Sequence, residues 1–201
     1  MIRIFCRSLF CLVILASAMG CLQGAAQAQL PPALAALAPP GTQVSSPTFS
    51  KAPTFADAAF VADKKLPGNH SVHYSFHLLC QDTNSALWKM RAPIYQAETN
   101  KKIDAKRESF KAGSNPPISY DPAKETKYPW GTGFTQRVVH HYMGAGTGPD
   151  YVDYRTAYFG MIGGVMFELT VDGATSAGEA DQWAKNVAEK AAGMSIANIG
   201  N

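Results

Sequence analysis

Val72, Tyr74, Phe76 and Leu78 are apolar, and His73, Ser75 and His77 lie between them. Successive strand residues face opposite sides of a sheet, so β-branched and aromatic residues with this period of two predict a half-buried strand. Pro67-Gly68-Asn69 in front of it is turn chemistry. Similar composition predicts strands over 134–142 and 151–159, and another over 165–171, where Val165, Phe167, Leu169 and Val171 share one face. Gly163-Gly164 supplies the backbone freedom a tight hairpin demands between the last two. After Asp172-Gly173 the period becomes helical. Ser176 and Glu179 make a capping box, Ala180, Trp183, Ala184, Val187, Ala188 and Ala191 form an apolar stripe, and Gly193 closes the helix. Such a stripe must cover a sheet face. The expected fold is therefore α+β, an antiparallel meander packed against a C-terminal helix.

The middle of the chain is less regular. Leu87, Trp88 and Met90 suggest a short element that Pro93 interrupts. Good helix formers over 98–112, with Ile103 and Phe110 on one side and Gly113 as a stop, predict a polar surface helix. Residues 114–133 carry Pro116, Pro117, Pro122 and Pro129 and read as a long loop, a feature that often serves function. Residues 29–53 are rich in Pro, Ala and Ser with almost no charge and read as a flexible linker. A single domain is expected over 54–201.

The stretch YRTAYFGMIGGVMFELTVDGATSAGEADQWAKNVAEKA, within residues 151–196, resembles the end of the exported PsbP-like superfamily domains. Those chains also finish with a strand, a short glycine hairpin, an amphiphilic strand and a helix. The resemblance covers about a quarter of the chain and implies a binding or accessory domain without catalytic machinery. It carries over no site residues.

The first 28 residues have a different character. Arg3 and Arg7 precede the apolar run Leu9-Phe10-Cys11-Leu12-Val13-Ile14-Leu15, and small residues follow. This is the pattern of a secretory signal, and the run is too short to span a bilayer. Ala26-Gln27-Ala28 matches an ordinary signal-peptidase site. Met19-Gly20-Cys21 is the alternative, a lipoprotein box that would put lipid on Cys21. Cleavage after Ala28 predicts a periplasmic protein, with a membrane-anchored lipoprotein or a secreted protein as alternatives. Removing Arg3 and Arg7 leaves 16 basic residues against 15 acidic ones, so the mature chain is nearly neutral. The one basic cluster, Lys101, Lys102, Lys106 and Arg107, is interleaved with Asp104 and Glu108, so nucleic acid is not an expected partner. Cys80 is the only cysteine after residue 28, so the mature chain forms no internal disulfide, and its apolar neighbours predict a buried thiol.

Candidate chemistry is thin. Tyr120, Tyr128, Trp130 and Phe134 flank prolines and glycines in or beside the long loop, and with His140 they are the candidate ligand surface; folding back to lid the sheet is the competing role. The alternative is a metal site using His73, His77 and His140 or His141. On one strand, however, His73 and His77 would stand about 13 Å apart at roughly 3.3 Å per residue. No Gly-x-Ser-x-Gly elbow marks a serine hydrolase. Gly144-Ala145-Gly146-Thr147-Gly148 lacks the lysine of a phosphate loop and reads as a hairpin. The expectation is an exported non-enzymatic binding or accessory domain, without a cofactor, that meets another exported protein or a cell-envelope component. It would touch the membrane only through a lipidated Cys21. A metalloprotein and an inhibitor or immunity-type protein are the alternatives.

Overall fold

A computed structural model describes residues 30–144 and 148–200. The export segment, with Cys21 and the Ala26-Gln27-Ala28 site, lies outside the described residues. The chain begins with a short helix α1 (Pro32–Ala35), strands β1 (Gln43–Ala52), β2 (Phe55–Lys65) and β3 (Ser71–Gln81), and a long helix α2 (Ala86–Ser109). It continues through β4 (Gly113–Asn115), β5 (Ile118–Tyr120), β6 (Lys124–Tyr128), β7 (Gly131–His140), β8 (Tyr151–Ile162) and β9 (Val165–Ala174), and ends in helix α3 (Ala177–Ala192). All nine strands join one antiparallel sheet in the order β1-β2-β3-β9-β8-β7-β5-β4, with β6 following β5 along the same edge of β7. Two three-stranded meanders, β1-β2-β3 and β7-β8-β9, are thus joined by pairing of β3 with β9. The fold is α+β, as the periodicities predict.

One face of the sheet carries the main core. Phe60 stacks on Phe76 with ring centroids 4.7 Å apart, and Tyr74 meets Trp183 edge-on at 5.2 Å. The six apolar positions of the predicted stripe on α3 are all buried. Four are alanines, which let the helix approach the strands closely. Ser176 caps the helix by accepting from the Glu179 amide at 3.3 Å, but the reciprocal half of the expected box is absent. The Glu179 carboxylate instead accepts from Lys64 Nζ at 2.6 Å and from the Tyr74 hydroxyl at 3.2 Å, tying α3 to β2 and β3. Cys80 is buried, with 1% exposure, and burial pushes its thiol pKa up.

Three expectations are corrected. Residues 30–52, expected as linker, belong to the domain. Leu34 and Leu37 are buried in the main core, the Trp183 indole N–H donates to the Leu37 carbonyl at 2.8 Å, and 43–52 form an edge strand. Low charge and proline content hid two leucines whose partners lie about 150 positions away in sequence. The helix expected to begin at 98 instead runs from Ala86 straight through Pro93. A helix proline costs one backbone bond and a clash, but Pro93 is exposed, so water can reach the freed carbonyl. Ser85 starts the helix by accepting from the Trp88 amide at 3.0 Å. Residues 114–133, expected as loop, hold β4, β5 and β6, whose short lengths between prolines leave no periodicity to detect.

Candidate functional site

The second face of the sheet is covered differently. Helix α2 is 24 residues long, yet none of its own residues is buried. Contact with the sheet is concentrated at its C-terminal end, where Phe110 turns into a small cluster with Phe134, Ala157 and Phe159. Gln136, fully buried on β7, anchors this end. Its amide nitrogen donates to the carbonyls of Phe110 at 3.1 Å, Lys111 at 3.1 Å and Asp121 at 2.6 Å, while its oxygen accepts from Arg155 Nε at 2.6 Å. The Arg155 guanidinium also lies 4.4 Å from the ring centres of both Phe110 and Tyr120, a cation–π arrangement. Further along the helix, Lys102 reaches Glu168 on β9 at 2.8 Å, and Arg107 holds Glu125 on β6 at 2.8 Å. Hydrogen bonds from Arg107, then from Lys127, draw the Glu125 carboxyl down to about 2.

Between these ties the helix stands away from the strands and leaves clefts on both sides. Toward β3 and β9 a cavity of about 180 Å³ is lined by Leu79, Tyr95, Thr99, Met166 and Glu168 among others. Toward β6 and β7 a larger one of about 510 Å³ involves Thr99, Ile103, Arg107, Trp130 and Met161. Thr99, Phe159 and Gly160 border both. Gly160 permits this floor, because a Cβ there would run into the Phe167 ring. The larger volume falls in the range of small-ligand sites. Its lining mixes apolar side chains, Ile103, Trp130, Phe159 and Met161, with the charged Asp104, Arg107 and Lys127.

The expected ligand residues do not gather into one surface. Tyr128 and Trp130 stack on each other at 4.5 Å and pack against the main core, where the Tyr128 hydroxyl bonds Asp181 on α3. Burial, then that bond, raises the Tyr128 pKa. These two rings lid the sheet, although Trp130 also borders the larger cleft. Phe134 is buried and presents no surface to a ligand. Tyr120 is half-buried under Arg155. His140 joins Asp153 at 3.0 Å and lies against Tyr151, on whose ring His70 stacks at 4.0 Å.

Nor do the candidate metal ligands converge. His73 pairs with Asp63 at 2.6 Å, His77 with Asp57 at 3.1 Å, and His141 with Asp150 at 3.0 Å, each at its own place on the sheet. Among the described residues no three His, Cys, Asp or Glu side chains are placed to hold one ion. Apart from Trp130 and His77, the residues that border the clefts escaped sequence reasoning, because α2 is polar and has no apolar stripe to show which side faces the sheet. Among the described residues no helix is long and apolar enough to cross a membrane. No protein-family model matches the chain, and no curated protein or solved structure matches it.

Proposed function

We propose that this protein is an exported binding or accessory domain of the bacterial periplasm, which holds its ligand or partner in the clefts between α2 and the sheet. One observation carries the reading: a 24-residue helix with no buried residue is fixed over the sheet with a cleft on either side of it. A helix that only completed a core would bury its own apolar side chains. This one leaves Tyr95, Thr99 and Ile103 only partly covered, each bordering a cleft, although Ile103 also packs against the Phe110 cluster. The resemblance of the closing sequence to the end of exported PsbP-like domains favours an accessory role in the cell envelope.

The experiment uses the mature protein starting at Gln29, immobilised and exposed to envelope extract from its own host. A stoichiometric companion held by the wild type and lost with Thr99→Trp supports the reading, provided the variant melts at the wild-type temperature. The bulky ring would intrude where Thr99 borders both clefts, and α2 has no buried side chain for it to displace. Equal capture by both forms, or no companion, overturns it. Intact mass tests export separately: an unlipidated chain beginning at Gln29 agrees with it, and an acylated Cys21 replaces release by anchoring.

A further inference from the structure

A second site lies near the edge of the sheet, at the opposite end of β7 and β8 from the residues that line the clefts. Ser119 stands in the middle of β5 and pairs with Val139 on β7. Its neighbour Tyr120 faces Arg155 on the α2 side, so strand alternation turns Ser119 to the opposite face. His141 follows the last residue of β7, and its backbone N–H donates to the Pro117 carbonyl at 2.7 Å, which pins it beside β5. Asp150 immediately precedes β8 and accepts from the Tyr142 amide at 3.2 Å. The result is a chain of contacts. Ser119 Oγ lies 2.9 Å from His141 Nε2, and His141 Nδ1 lies 3.0 Å from Asp150 Oδ2.

We propose that Ser119, His141 and Asp150 form a nucleophilic relay that takes the acyl group from small activated carboxylic esters. The order of contacts is the one the chemistry requires. A carboxylate at Nδ1 holds the proton there, which leaves the Nε2 lone pair facing the serine hydroxyl. The Tyr142 amide and His141 hold the Asp150 carboxyl below its ordinary range, so it stays a carboxylate acceptor. Of the four His–Asp pairs among the described residues, this is the one whose second ring nitrogen meets a hydroxyl. The site is open: the His141 and Asp150 side chains keep 42% and 47% of their exposure, so an ester and a water can both enter from solution.

In the first step Ser119 Oγ bonds to the ester carbonyl carbon as its proton passes to His141 Nε2. The bond from that carbon to the leaving oxygen then breaks, the leaving group departs with the proton, and the acyl group remains on Ser119. Water next attacks the acyl-serine, yielding a proton through His141 to Ser119 Oγ, and the carboxylic acid is released. An aryl ester suits this open site because its leaving group is stable as an anion and needs little proton assistance.

The test incubates the mature protein with p-nitrophenyl acetate, follows nitrophenolate release, and maps acetylation by peptide mass spectrometry. Acetyl is expected on Ser119, absent in Ser119→Ala, and formed at least ~100-fold more slowly in His141→Gln, the range a positioned general base supplies. Asp150→Asn should slow it too, and Ser114→Ala, on the neighbouring strand β4, should leave it unchanged. Circular dichroism of each variant separates loss of chemistry from loss of fold, and Asp150→Asn decides if His141→Gln fails to fold. Acetyl on lysines alone, or on Ser119 at an equal rate without His141, overturns the relay. Since Ser119 faces away from α2, a wild-type result in Thr99→Trp is expected here whether or not the clefts bind a partner.

Discussion

Replacing Gln136 with methionine keeps the side-chain volume close to that of glutamine and removes all the hydrogen bonds Gln136 makes to the end of α2, to Asp121 and to Arg155. The Phe110 carbonyl loses its partner in a buried setting, which costs about 1–3 kcal/mol. Arg155 loses a bond at 2.6 Å, and bonds to charged groups are worth about 1.5–3 kcal/mol. Part of the second loss is recovered, because Arg155 still donates to the Ser109 carbonyl at 3.1 Å and still lies between two rings. The Lys111 and Asp121 carbonyls, only partly buried, can turn to water. The expected net loss is about 2–5 kcal/mol, equivalent to roughly 10 °C in Tm for a domain of this size. Urea unfolding followed by tryptophan fluorescence measures it, with an unchanged m-value showing that the unfolded state is unaltered. A loss below about 1 kcal/mol would refute the argument, since the Phe110 carbonyl would then have water available and Gln136 would be filling space only.

Two further outcomes follow from the fold. Leu34→Ala should destabilise the domain by about 2–5 kcal/mol, because Leu34 is fully buried against the main core; a free linker would show no change in unfolding midpoint. Arg107→Met should move the titration of Glu125 from about 2 toward the ordinary glutamate value near ~4.3, read by carboxyl NMR shifts. Because the folded value is depressed, the stabilisation from this carboxylate is complete above ~4.3 and is lost as pH falls through about 2. Its partners are largely exposed, so raised salt should weaken the effect, and a titration unmoved by both changes would refute the pairing.

The sequence by itself determined the elements whose signals are local. Alternation in 72–78 and 165–171 marked β3 and β9, the glycine pair marked the hairpin from β8 into β9, and the stripe from Ala180 to Ala191 marked α3 as the helix that covers the sheet. These patterns are legible because one face of each element meets the core, and the period records that face. Tertiary structure decided the rest. Nothing local announces that β3 pairs with β9 across the α2 insertion, or that Leu34 and Leu37 lie against Trp183. The polar sequence of α2 carries no stripe because the helix is held by Phe110, Gln136 and charged ties, not by a buried face. The same limit applied to the candidate sites. Five histidines were visible in sequence, but whether they meet one another or separate aspartates depends on strand register, which is set by hydrogen bonds between distant segments. Register separated His73, His77 and His141, and it brought Ser119, His141 and Asp150 into line.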